Sequence, residues 1–378
     1  MKAVMFSKDD WKHFRSENYN WSFNRKDGTF LRWGKTEEDD PNFSPIGPEI
    51  ADIELSSGKC SGSGTDDKDS PCRWCYKSNG GNEVKYMSLE KFKKLFSLIT
   101  QTGNIGQIAA GITDVDSNVD LWDIFAHCRE NDVVPNITIN GNKMTPEVYD
   151  NLVKYCGAVA VSHYNDDTCF NAVHGLTSRG LKQCNIHQLL CLENYQSCLD
   201  LIDKAKIDPR LKNLNAIVFL ALKPKGRGIH LTPLQDPEKY RILAEKAMEA
   251  KVGIGFDSCS ANMFLTAMKD SQNYESFQQL AESCESGIFS SYFDVDGNYW
   301  PCSFCENVYK TYDSKVDIKP INAFECTDLL KDIWYARQTV AWRKNLISTC
   351  GKNKCRKCPV YNIDSFEINK QEEVEASL

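Results

Sequence analysis

Cys60 and the tight group Cys72-Arg73-Trp74-Cys75 are the residues whose type and spacing point most directly to chemistry, with eleven residues in the first gap and two in the second. The stretch from Ser61 to Pro71 is rich in Gly, Ser and Asp, so it adds reach without packing. A Cys-x-x-Cys pair can grip one metal centre with two thiolates, and Cys60 supplies a third. A structural zinc ion wants four ligands, and the next Cys or His downstream is His127. Three thiolates suit a [4Fe–4S] cube that keeps one iron open to a small molecule, with zinc as the competing reading.

A second concentration of cysteines runs from Cys259 to Cys358. The chain has 17 in all, and disulfides are not expected of them in a reducing compartment. Cys128, Cys156, Cys169, Cys184, Cys191 and Cys198 are scattered, often amid apolar neighbours, and read as small buried side chains. Between Cys284 and Cys302, a glycine turn at Asp296-Gly297-Asn298 folds Ile288–Val295 against Tyr299–Pro301. Such a hairpin brings the two thiols to one centre. Cys305, Cys326 and the run Cys350, Cys355, Cys358 follow, the last with a spacing that zinc knuckles also use.

The elements that must position these residues are legible in the hydrophobic pattern. Short apolar runs suited to buried strands occur at 50–55, 105–112, 133–139, 158–162, 184–191, 216–222 and 252–256. Between them, helical periodicity marks 89–100, 121–131, 146–155, 195–205 and 240–250. Alternating strand and helix implies parallel pairing through right-handed crossovers. Six or seven units suit an α/β fold built as a partial (β/α)6 TIM-like barrel, with a doubly wound open sheet as the alternative. Cys60 then lies just beyond the first strand, at the barrel face where such enzymes place their chemistry. Around this core, residues 1–48 read as an N-terminal hairpin (Trp21–Trp33, turned at Asp27-Gly28) and a linker. Residues 49–257 form the barrel, 258–366 a small Cys-rich module containing one amphipathic helix at 324–345, and 367–378 a polar tail.

The three-cysteine loop after the first strand, with Trp74 before its last cysteine and Tyr76 after it, resembles the radical S-adenosylmethionine (SAM) superfamily. Its first gap is longer than the family's usual one. The resemblance extends downstream. Gly111 and Thr113 stand where the family contacts the methionine amino group; Asn140 closes a Thr-x-Asn-Gly strand end; Ser162 suits a ribose or carboxylate. Lys223 and Arg227, at the end of the sixth strand, could pair with the SAM carboxylate or an anionic substrate. The Cys284–Cys302 segment is similar to the opening of SPASM/Twitch auxiliary-cluster domains. This implies an auxiliary [4Fe–4S] cluster on Cys259, Cys284, Cys302 and Cys358, with Cys305, Cys350 and Cys355 as alternates. With Cys326, enough thiols remain for a second such cluster, and zinc is again the competing reading.

The resemblance implies an enzyme in which SAM chelates the open iron and is reductively cleaved to a 5′-deoxyadenosyl radical that abstracts hydrogen from substrate. A peptide or protein side chain is the expected substrate, with a small molecule or nucleotide as the alternative. A flavodoxin- or ferredoxin-type protein would donate the electron. A zinc-stabilised binding protein without redox chemistry is the reading from a different class. Composition constrains the rest. With 41% hydrophobic and 26% charged residues the chain can bury a large core, and a net charge of −7 argues against general nucleic-acid binding. No apolar run is long enough to span a bilayer or serve as a signal peptide, so a cytoplasmic protein is expected. His163, His174, His187 and His230 are dispersed and form no hydrolytic constellation with neighbouring acids.

Overall fold

The computed structural model describes residues 3–36, 39–62, 72–312, 315–351 and 355–363. Most of the spacer between Cys60 and Cys72, part of the Cys350–Cys358 run and the expected polar tail lie outside the described residues.

The chain opens with four strands, β1 (Val4–Lys8), β2 (Trp11–Arg15), β3 (Asn20–Asn24) and β4 (Phe30–Trp33), forming an antiparallel meander. The pairing of β3 with β4 around Gly28 (φ +81°) is the hairpin expected from sequence; the preceding β1–β2 hairpin is an addition to it. Alternation places Trp21 and Phe23 on the inner face, where both are fully buried with Phe14, Tyr19, Ile288, Phe289 and Leu346. The stretch read as a linker is a packed connection instead. Asn104 Nδ2 donates to Ser44 Oγ at 3.1 Å and to the Gly47 carbonyl at 2.7 Å. The Trp334 indole donates to the Ser44 carbonyl at 2.7 Å.

The barrel strands and helices then alternate as β5 (Ile50–Glu54), a small antiparallel ribbon of β6 (Ser56–Gly58) and β7 (Val84–Tyr86), α1 (Leu89–Ile99), β8 (Gln107–Gly111), α2 (Leu121–Glu130), β9 (Val134–Ile139), α3 (Pro146–Tyr155), β10 (Val159–Ser162), α4 (Asp166–Thr177), β11 (Cys184–Leu190), α5 (Tyr195–Ile207), β12 (Ala216–Ala221), α6 (Pro237–Ala250) and β13 (Ile254–Phe256). The helix starts follow local chemistry. Ser88, Thr145, Asn165 and Asp236 each accept from a backbone N–H of the first turn, and Pro146 and Pro237 occupy positions where a missing N–H costs nothing. Helix α4 had no clear sequence signal, because Gly175 and the polar start Asp166-Asp167-Thr168 dilute its apolar stripe.

Strands β5, β8, β9, β10, β11, β12 and β13 are parallel and lie in chain order. A doubly wound sheet reverses its strand order at a switch point, and this one does not. It is a partial barrel. Its outward-facing residues, such as Ile53, Ile108, Ile137, Val161, Ile186 and Phe219, pack with the helices in one core. In-register residues on the other face, Asp52, Ala109, Thr138, Ser162, His187 and Val218, are less buried and line the inner side.

Beyond β13 come α7 (Ala261–Ala267), α8 (Tyr274–Leu280), β14 (Ser290–Phe293), β15 (Asn298–Trp300), β16 (Ile321–Asn322) and α9 (Arg337–Ser348). Strand β14 pairs parallel with β5, and β15 and β16 add antiparallel strands, making one ten-stranded sheet. Gly297 (φ +79°) turns β14 into β15, and a Cβ there would stand 2.4 Å from the Phe324 ring. The single helix expected over 324–345 is broken in two. A π-helical turn covers Leu329–Trp334, begun by Asp328 accepting from the Lys331 N–H. Its Tyr335 N–H bonds back to the Leu330 carbonyl, and α9 starts afresh at Arg337. Among the described residues, no helix is long and apolar enough to cross a membrane.

Candidate active site

Cys60 is reached from β5 through β6, so the ribbon with β7 forms a stem beneath the cysteine loop. Gly58 (φ +88°) permits the turn, since a Cβ would lie 2.3 Å from the Glu83 carbonyl. Residues that follow the next two strands then hold the loop. The Ser61 N–H donates to Asp114 Oδ2 at 2.8 Å. Asn142 Nδ2 donates to Ser61 Oγ at 2.9 Å and to the Gly62 carbonyl at 3.2 Å. Asn140 Nδ2 donates to Asp114 Oδ1 at 2.7 Å and to the Thr113 carbonyl at 3.1 Å. Asn140, expected as a SAM contact, thus organises the loop with its amide. Asp114 and Asn142 had no individual sequence signal beyond their place at strand ends.

The three thiols share one electrostatic neighbourhood. Burial pushes the Cys60 thiol up to about 11; the Gly62 N–H, 3.4 Å from the sulfur, opposes this, while Asp114 and the Cys75 and Cys72 thiolates add to it. Cys72 is also pushed up, mainly by burial, against hydrogen bonds from the Trp74 N–H and the Tyr164 hydroxyl. Bare thiolates gathered this way repel one another, whereas ferric and ferrous ions between them would neutralise the charge. Backbone N–H groups aimed at the sulfurs suit a cluster, since they set its potential. The residues present therefore fit an iron–sulfur centre.

The other predicted contacts lie around the same mouth. Gly111 ends β8 with open backbone, where a Cβ would come no closer than 3.5 Å to Glu54. Thr113 is buried, and its Oγ1 has no hydrogen-bond partner among the described residues. Ser162 ends β10 beside the Tyr164 hydroxyl. The two basic residues, expected to meet the SAM carboxylate or an anionic substrate, have protein partners here. Lys223 is buried, ion-paired with Asp257 and hydrogen-bonded toward Cys259. Arg227 Nε donates to the Cys72 carbonyl at 2.7 Å, and Nη2 to the Asn79 carbonyl at 2.6 Å.

Cys284, Cys302, Cys305 and Cys358 are mutually within electrostatic range, and Cys259 is within range of Cys284 and Cys358. Cys305, expected as an alternate, belongs with the four preferred residues. Cys302 is pulled down to about 7, first by a hydrogen bond from the Cys305 thiol and against burial, with help from the Phe304 N–H, Lys223 and Lys225. Cys358 is pushed up to about 12 by burial, with Cys284 adding to the shift. Cys350 is exposed, and Cys355 is buried against Ala261 and Leu265 of α7. Cys326 stands beside Asp332 and Glu325. Among the described residues no three His, Cys, Asp or Glu side chains close on a single metal-ion position; a cube binds each thiolate through a different iron and asks for wider spacing.

The fold is that of the radical SAM enzymes. The chain is similar to Streptococcus suis SuiB bound to the precursor peptide SuiA, with a TM-score of 0.65 at 13% identity over 90% of each chain. It is similar to SuiB bound to S-adenosylmethionine at a TM-score of 0.61, with the same identity and coverage. Native anSMEcpe with bound AdoMet and the Cp18Cys peptide matches at a TM-score of 0.52 and 12% identity, over 78% of this chain and 82% of that one. No protein-family model matches the chain, and no curated protein matches it by sequence.

Proposed function

We propose that this protein is a radical SAM enzyme that modifies a peptide or protein side chain. The reading is carried by the convergence of Cys60, Cys72 and Cys75 beyond the first strand of the partial barrel, in a loop held by its own hydrogen-bond frame. These three thiols would hold a [4Fe–4S] cluster with one open iron. Four of Cys259, Cys284, Cys302, Cys305 and Cys358 would hold an auxiliary [4Fe–4S] cluster. When bound, the cluster and SAM supply reductive cleavage of the sulfonium and a radical able to take hydrogen from substrate.

The chain's own part is placement and exclusion of water. Asp114 and Asn142 fix the Cys60 turn. Thr113 offers an unfilled hydroxyl at the mouth, and Gly111 leaves room beside it. Tyr164 donates to the Cys72 sulfur. On the inner face, burial pushes the Asp52 carboxyl up to about 7, with Cys302 and Glu285 adding to the shift. The peptide class is supported by the two similar structures holding peptides, SuiA and Cp18Cys. A cytoplasmic protein reduced by a flavodoxin or ferredoxin completes the reading.

Anaerobic reconstitution tests it. The protein should take up iron and sulfide, turn brown, and release 5′-deoxyadenosine from SAM after reduction. Cys72→Ala should abolish that release. A colourless protein that carries zinc and no sulfide would overturn the proposal, and faster release with nucleotides than with peptides would redirect its substrate.

A further inference from the structure

The loop after β12, Lys223-Pro-Lys225-Gly-Arg227-Gly228, touches both cysteine sites through different atoms. On one side Arg227 grips the first loop, its Nε on the Cys72 carbonyl at 2.7 Å and its backbone N–H on the Cys75 carbonyl at 3.1 Å. Gly226 (φ +60°) lies so close that a Cβ would stand 2.5 Å from the Cys75 oxygen and 2.6 Å from the Tyr76 oxygen. On the other side Lys225 Nζ donates to the Glu306 carbonyl at 2.6 Å and to the Phe304 carbonyl at 3.3 Å. Phe304 lies between Cys302 and Cys305.

The two cysteine loops also meet directly. The rings of Tyr76 and Phe304 have centroids 4.5 Å apart. Lys77 pairs with both Glu54 and Glu306, and donates to the Tyr292 hydroxyl at 3.0 Å. Backbone carbonyls held by a short loop have little freedom to shift independently. Displacing Phe304–Glu306 therefore moves Lys225, and with it the residue whose backbone presses on Cys75.

We propose that Lys225-Gly226-Arg227 is a bracket coupling the two cysteine sites, so that the geometry at either one depends on the other. Lys225 and Gly226 are its positioning residues, and neither touches a thiol in this role. The proposal rests on the reading of both cysteine groups as cluster sites.

The test uses the full chain, reconstituted anaerobically, with iron and sulfide counted and the electron paramagnetic resonance of the reduced protein recorded with and without SAM. Lys225→Met removes the Nζ contacts to the Phe304 and Glu306 carbonyls and a cation–π contact 5.9 Å from the Tyr76 ring centroid, and leaves the Arg227 contacts to Cys72 and Cys75 in place. It should nevertheless weaken by fivefold or more the apparent affinity with which SAM changes the signal of the Cys60/Cys72/Cys75 centre, and Lys225→Arg should restore it. Gly226→Ala intrudes on Cys75, Tyr76 and Ser78, all in the first loop, yet should alter the auxiliary signal. Effects confined to the nearer site in each variant would overturn the bracket. If Gly226→Ala does not fold, the Lys225 pair decides alone. Wild-type protein that binds no iron or sulfide would defeat the cluster reading itself, a result distinct from two loaded but independent centres.

Discussion

Thr113 has its backbone N–H bonded to Ser56 Oγ and its carbonyl to Asn140, which leaves the buried hydroxyl as its one unfilled group among the described residues. A SAM atom that completes this hydrogen bond gains roughly 0.5–1.5 kcal/mol. Thr113→Val should accordingly weaken SAM binding by about 2- to 10-fold in calorimetry, and undiminished affinity would remove Thr113 from the site. His187 gives a pH signature. Burial pushes its imidazole down to about 4 from 6.5, the Asp257 carboxylate opposing only in part. Above pH 6.5 both folded and unfolded forms are neutral, so the neutral imidazole imposes no proton-linked loss. Between pH 6.5 and 4 the unfolded chain gains a proton that the folded one resists, and stability falls by on the order of 3 kcal/mol. His187→Asn should flatten that part of the stability–pH curve in denaturant titrations; an unchanged slope would place its origin elsewhere. The cysteines themselves were legible because their spacing is local. Asp114, Asn142 and Tyr164 were not, because their partners lie across strands.

Strand β4 reaches further than its hairpin signal implied. Arg32 donates to Glu49 Oε2 at 2.6 Å and to Glu285 Oε1 at 2.9 Å, and its guanidinium lies 3.6 Å over the Phe289 ring. Glu285 is adjacent to Cys284, whose carbonyl accepts from Arg356 Nε at 2.7 Å. The N-terminal sheet thus supports the Cys284 turn. Burial pushes Glu49 up to about 8 even with Arg32 opposing the shift, so the acid depends on its partner. Arg32→Met should destabilise the protein by roughly 3–5 kcal/mol, as breaking a buried pair does. It should also lower iron at the second cysteine group while sparing the first; full auxiliary occupancy in the variant would refute that link. The barrel strands and most barrel helices were legible as elements because their apolar periods are uninterrupted. The break at 335–336 was hidden, because residues on both sides keep a helical pattern while the Tyr335 N–H bonds five residues back.

At the scale of the molecule, one sheet carries both cysteine sites, since β14 extends the barrel from the edge of β5. This continuity separates two roles in the proposed reaction. Removing an auxiliary ligand should leave SAM cleavage closer to wild type than product formation. Cys302→Ala is expected to release 5′-deoxyadenosine while yielding far less modified substrate, and equal loss of both in chromatographic assays would contradict it. The sequence by itself determined the βα rhythm, the three-cysteine loop and the existence of a second thiol group, because each is written in local spacing and periodicity. Tertiary packing alone set the Cys305 thiol against Cys302 and left Cys350 exposed, and put Asn140 and Arg227 on the cysteine loop. Those outcomes depend on which backbone carbonyls and sulfurs approach across the sheet. The Cys60/Cys72/Cys75 loop was visible from spacing, and the bracket that seats it beside its neighbour came from packing alone.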